Sequence, residues 1–266
     1  GAIGNVRNSG KAPDAPKPHL ATLLRAFELR YGDKVYIDAG TYGLIQPIVV
    51  SAVDGVGFGN DYGFSLIGPD LEGSTAAVTP LIDEVASETL ITFDNAASVT
   101  LSNMTLTGGY HGVAVLDSAA VTLEALHVFD NTNSGVYLSN LSGDVNVLGG
   151  TYHDNDGDGI YIESNTGGST TITDGLYYNN TTGINVHGSA TITGTEVYNN
   201  DNYGIYYYDS SASAVNRWAV ISNNTIYGNY YGLYARTWAQ SQHNVSVLVS
   251  DNTFYDNYRW AAQLRA

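Results

Sequence analysis

The chain has no cysteine and a single methionine, so no disulfide framework and no thiol chemistry are available to it. Between Lys34 and Arg217 it has no lysine or arginine at all. That stretch carries 21 of the 26 acidic residues, within a net charge of −16. Phosphate binding needs lysine and arginine, so nucleic acid is excluded as a partner. No apolar run approaches the ~20 residues of a membrane span, and no membrane insertion is expected. Charged residues are scarce at 14%, while hydrophobic residues reach 43%. That balance describes a folded chain, not a disordered one. The chain begins with Gly and has no leader pattern, and it reads as a mature domain or a part of a larger chain.

What is abundant is turn chemistry and tyrosine, with 30 Gly and 21 Tyr in 266 residues. They recur as one phrase. Asn199–Tyr208 runs from an Asn-rich turn through a Gly into a short alternating strand. Copies begin at Gly112, Gly135, Gly159, Gly183 and Gly232. With Gly204 included, the intervals between these glycines are 23, 24, 24, 21 and 28 residues. A period in the twenties means a solenoid. After each Gly, positions +1 and +3 are mostly apolar, as in Val136/Leu138, Ile160/Ile162 and Ile184/Val186. Period 2 places these inside and positions +2 and +4 outside. A second alternating strand precedes each turn, as in Val99/Leu101, Val121/Leu123 and Val145/Val147.

Four residues before the glycines stand Asn131, Asn155, Asn179 and Asn200, continuing with a one-residue shift as Asn229 and then Asn257. Such a row suits amide hydrogen bonds from coil to coil, a stacking device and not a site. In the last unit, Trp260 takes the expected place of the Gly.

The predicted architecture is all-β: a single-stranded right-handed parallel β-helix of about nine to ten coils. Residues 1–34 form an N-terminal cap, a turn-rich lead plus an amphipathic helix over His19–Arg30. The cap covers the open core and strand edge of the first coil. Residues 35–97 form irregular coils, with Asp54–Tyr62 as a loop leaving the stack. Residues 98–251 form the regular coils, and 252–266 a C-terminal coil or plug.

Two features resemble the pectate-lyase-like superfamily of right-handed parallel β-helix proteins. One is the repeat Asn200-Asp-Asn-Tyr-Gly204-Ile-Tyr and its copies. The other is the opening Asn8-Ser-Gly, Leu23, Ala26 and Gly32-Asp-Lys-Val-Tyr-Ile-Asp-Ala-Gly40-Thr-Tyr, similar to the capping helix and first strand of many secreted members. The resemblance covers nearly the whole chain. It implies an extracellular setting and a polysaccharide or cell-surface glycan as partner. It leaves open lyases, hydrolases, epimerases, tailspikes and non-catalytic surface modules.

Three constellations are candidates for function. The +2 row (Tyr137, Tyr161, Asn185, Tyr206, Tyr234) offers tyrosines for carbohydrate binding. The +4 row aligns Glu163, His187, Tyr208 and Arg236, the parts for proton abstraction beside a carboxylate. Asp154, Asp156 and Asp158, alternating before Gly159, match the first half of an oxygen-ligand loop for Ca2+. The six histidines fall at different repeat positions, without helix-type metal spacing. The preferred reading is an extracellular module that binds polysaccharide or serves as a rigid spacer in a larger secreted or surface protein. The alternative is a lyase or C5-epimerase-like enzyme acting on a uronate-containing glycan through the +4 row.

Overall fold

The computed structural model describes residues 11, 19–21, 24, 29–51, 63–70, 74–163, 167–209, 217–237 and 245–265. The expected loop Asp54–Tyr62 and the lead before His19 (Lys11 apart) lie outside them. Of the expected capping helix, Leu20, Ala21 and Leu24 are helical, and Leu20 and Leu24 are buried in the core; most of the rest lies outside the described residues.

Three parallel sheets of nine strands each run the length of the solenoid, and every coil gives one strand to each sheet. The first sheet starts at Lys34–Tyr36, the second at Gly40–Leu44 and the third at Ile48–Ser51. One core cluster extends from Leu20 to Ala235. The +1 and +3 residues of the third sheet point into it, with Val136, Leu138, Ile160, Ile162, Ile184 and Val186 all at 0% exposure. The second-sheet strands are only three to five residues long, and they put Val128, Tyr152, Tyr177, Val197 and Ile226 inside. A one-turn helix, Asp83–Ala86, interrupts the second coil.

The turns explain the Asn, Asp and Gly content. Each regular coil passes from the second to the third sheet through one left-handed residue. Gly108, Asp130, Asp154, Asn179, Asn199, Gly228 and Asp256 fill this place, with φ between 51° and 81°. Short polar side chains and Gly tolerate that conformation best.

From Asp130 on, the next residue is the ladder amide. Asn131, Asn155, Asn180, Asn200 and Asn229 each donate from Nδ2 to the Oδ1 of the next, at 2.8–3.3 Å, and the row ends at the half-buried Asn257, whose Nδ2 donates to Ile226 O. This corrects the expected row at one member. Asn180, not Asn179, is in the ladder, because the turn before Gly183 is one residue shorter. A further correction concerns Trp260. It pairs with Tyr231, so Ala261 occupies the Gly position and Trp260 faces outward beside it.

Candidate functional site on the third sheet

The pairing registers turn the outward positions into continuous rows. Tyr137, Tyr161, Asn185, Tyr206 and Tyr234 are paired one to the next. Two residues further along each strand stand Ser139, Glu163, His187, Tyr208 and Arg236. The ladder carries this far through Glu163 N–H to Leu138 O and His187 N–H to Ile162 O, both 2.8 Å, and Tyr208 pairs with Arg236. A third row, not foreseen, lies just before the glycines: Asp158, Thr182, Tyr203, Tyr231 and Trp260. Its signal is the residue immediately preceding each anchor Gly.

The expected acid–imidazole–phenol–guanidinium row is contiguous. Tyr137 OH donates to Glu163 Oε2 at 2.5 Å and Ser139 Oγ donates to the same oxygen at 2.7 Å. These two hydrogen bonds, from Tyr137 foremost, hold the Glu163 carboxyl below its ordinary range. His187 packs edge-on to Tyr161 and to Tyr208, each at 5.7 Å. Burial pushes its pKa down, against the pull of Asp209 and Glu163. The Arg236 guanidinium lies 5.8 Å from the Tyr208 ring centre. Beneath His187, the buried Arg217 donates to the His187 carbonyl at 3.1 Å and stands 3.3 Å from Asp209 Oδ1. The backbone carrying the imidazole is thereby anchored.

Asp158 belongs to this face. Burial raises its pKa to about 6, although Asn185 donates to its Oδ2 at 2.8 Å. Tyr161 feels both carboxyls: after burial, Glu163 and then Asp158 raise its pKa. Two carboxyls with oppositely shifted pKa therefore flank one tyrosine, the pattern by which acid and base roles are divided.

Toward the C-terminus the rings turn onto one another. Tyr203 stacks on Tyr231 at 5.0 Å, Tyr231 on Trp260 at 4.7 Å and Tyr206 on Tyr234 at 5.3 Å. Arg265 lies over Tyr234 at 5.9 Å. Stacked rings present edges and hydroxyls outward. Tyr137 and Tyr161 are 5.7 Å apart and tilted by 42°.

The three aspartates expected to hold calcium are not brought together. Asp154 fills the left-handed turn and takes His153 Nδ1 at 2.5 Å and Asn179 Nδ2 at 3.0 Å. Asp156 is exposed on the turn, and Asp158 faces Asn185 and Thr182. Among the described residues, no three His, Asp or Glu side chains gather as a metal cluster.

Comparison with known proteins bears on the fold. Residues 82–193 match the family model described as "Right handed beta helix region". The chain folds as a right-handed parallel β-helix. Among solved structures it is similar to pectate lyase Pel9A, with a TM-score of 0.57 and 16% identity over 98% of this chain and 80% of that one. An alginate lyase from Paenibacillus sp. str. FPU-7 aligns with a TM-score of 0.49 and 11% identity, over 92% of this chain and 97% of that one. The Azotobacter vinelandii mannuronan C-5 epimerase AlgE4 A-module aligns with a TM-score of 0.44 and 14% identity, over 87% and 89%. No curated protein matches in sequence. The resemblance to pectate-lyase-like β-helix proteins thus holds for this β-helix at the level of fold.

Proposed function

We propose that this β-helix binds a polysaccharide along the outer face of its third sheet, outside the cell and as one module of a larger secreted or surface protein. One observation carries the reading: two outward rows of tyrosines and hydrogen-bonding side chains, Tyr137 to Tyr234 and Ser139 to Arg236, run in register. Four coil spacings of ~4.8 Å give a strip about 19 Å long, room for an oligosaccharide. Tyr137, Tyr161, Tyr206 and Tyr234 contribute hydroxyls and ring surface, and Asn185 an amide. The fold similarity to a pectate lyase is in keeping with a polysaccharide partner. The test is affinity electrophoresis against a panel of neutral and uronate polysaccharides. Retardation by at least one polymer, lost in Tyr137→Ala and Tyr161→Ala, is expected. No retardation on any polymer overturns the reading and leaves a rigid spacer.

The opposed pKa shifts of Asp158 and Glu163 favour a second reading, an enzyme of the lyase or epimerase class. Here a neutral His187 takes the C5 proton of a uronate whose carboxylate Arg236 neutralises. In a lyase the bond from C4 to the glycosidic oxygen then breaks, and that oxygen takes a proton from Tyr208 or from protonated Asp158. His187→Ala and Tyr208→Phe each abolish turnover in this reading without lowering the Tm; full activity in either removes it.

A further inference from the structure

The second sheet carries a polar feature that the glycan face does not use. Its outward positions Phe129, His153, Tyr178, Tyr198, Tyr227 and Tyr255 are paired strand to strand. Their rings stack in one column at 4.5–5.2 Å, with planes within 11° of parallel. His153 is held between Phe129 and Tyr178, so its ring cannot turn freely. Its Nδ1 meets Asp154 Oδ2 at 2.5 Å. With Nδ1–H donating to that carboxylate, the lone pair is on Nε2. From the preceding coil His127 brings its own Nε2 to 2.7 Å from that atom.

We propose that His127 and His153 form a surface site for a divalent cation of the zinc, copper or nickel class, independent of the glycan face. Two imidazole nitrogens bound to one such ion at 2.0–2.1 Å lie about 2.9–3.4 Å apart. The observed pair therefore needs to open by only a few tenths of an ångström. At 2.7 Å the two nitrogens share one proton, and a cation binding here takes that proton's place between them. Asp154 is the positioning residue and not a ligand. Its Oδ2 holds His153 and its Oδ1 takes Asn179 Nδ2 at 3.0 Å. Nitrogen donors select this class of ion over calcium or magnesium, and water completes the coordination.

The test is calorimetric titration of the whole chain, washed free of metal, with zinc chloride and with copper chloride. One saturable equivalent is expected for at least one ion. His127→Gln, which leaves the ring column intact, and His153→Ala both lose it. Asp154→Asn weakens it at least tenfold while the two ligands remain. His19→Ala, an exposed histidine elsewhere, binds as the wild type does. No saturable binding by the wild type, or wild-type affinity in His127→Gln, overturns the proposal.

Discussion

Asn179 and Asn180 are adjacent and identical, yet their duties differ. Asn179 supplies a left-handed turn residue, and glycine does that equally well. Asn180 is buried and binds Asn200, Tyr152 O and Tyr178 O while accepting from Asn155. Truncating it strands several buried groups, each costing about 1–3 kcal/mol. Asn180→Ala is expected to cost about 2–4 kcal/mol in chemical denaturation, and Asn179→Gly to stay within about 0.5 kcal/mol. Equal effects would return the ladder to the register expected from sequence. Tyr177 tests the opposite situation. It is fully buried, and among the described residues its hydroxyl has no hydrogen-bond partner. Tyr177→Phe removes that burden and is expected to leave stability unchanged or raise it by up to about 1 kcal/mol.

Asp158 makes stability depend on pH in a defined direction. Its folded pKa, about 6, lies above the unfolded value. The proton is therefore bound more tightly in the folded state. The stabilising contribution is full below about pH 4 and is lost as pH rises through 6. Asp158→Asn should remove this component and stabilise the protein at pH 7 by about 1–3 kcal/mol. Identical pH profiles of Tm for wild type and variant would show that the carboxyl is not desolvated.

Legibility differed by element. The third sheet was readable because six of its strands have a Gly anchor, from Gly112 to Gly232, and two inward residues, enough to show period 2. The first sheet was readable from pairs such as Val121 and Leu123. Most second-sheet strands have three residues and one inward side chain, so no alternation exists to be seen. That sheet hid the buried Tyr152 and Tyr177 as well as the outward ring column, since tyrosine serves on either side. The same limit shaped the site. Positions +2 and +4 followed from parity, but Asp158 was grouped with Asp154 and Asp156 by local spacing. Only the passage of the chain from turn into strand separates them.

The anchor glycines are needed for close approach and not for an unusual φ. A Cβ on Gly183 would lie 2.5 Å from Val197 Cγ1 and 2.7 Å from Gly204 O. Gly183→Ala is expected to cost about 1–3 kcal/mol through overpacking. A neutral result would mean that adjacent coils part easily.

Across the whole molecule the chain is asymmetric in charge. The middle coils hold the carboxylates and no lysine or arginine, while Arg236, Arg259 and Arg265 sit in the last strands and turns beside tyrosines. A glycan lying along the third sheet would meet hydrogen-bonding neutral and acidic groups at Tyr137–Asn185 and guanidinium groups at its C-terminal end. A uniformly anionic polymer would be attracted at that end and repelled in the middle. The inward residues of the final coil, Val247, Val249, Phe254 and Leu264, are only partly covered, and Leu264 is 61% exposed.

A glycan bound on the third sheet should perturb that sheet's own residues. NMR chemical-shift mapping tests it most directly, by titrating isotope-labelled protein with oligosaccharides from the polymers that retard it. Perturbations are expected to concentrate in Val136–Ser139, Asp158–Ile162, Thr182–Val186 and Tyr203–Asp209, with the second-sheet column Phe129 to Tyr255 unmoved. Perturbations confined to the second sheet, or absent at saturating oligosaccharide, would contradict it.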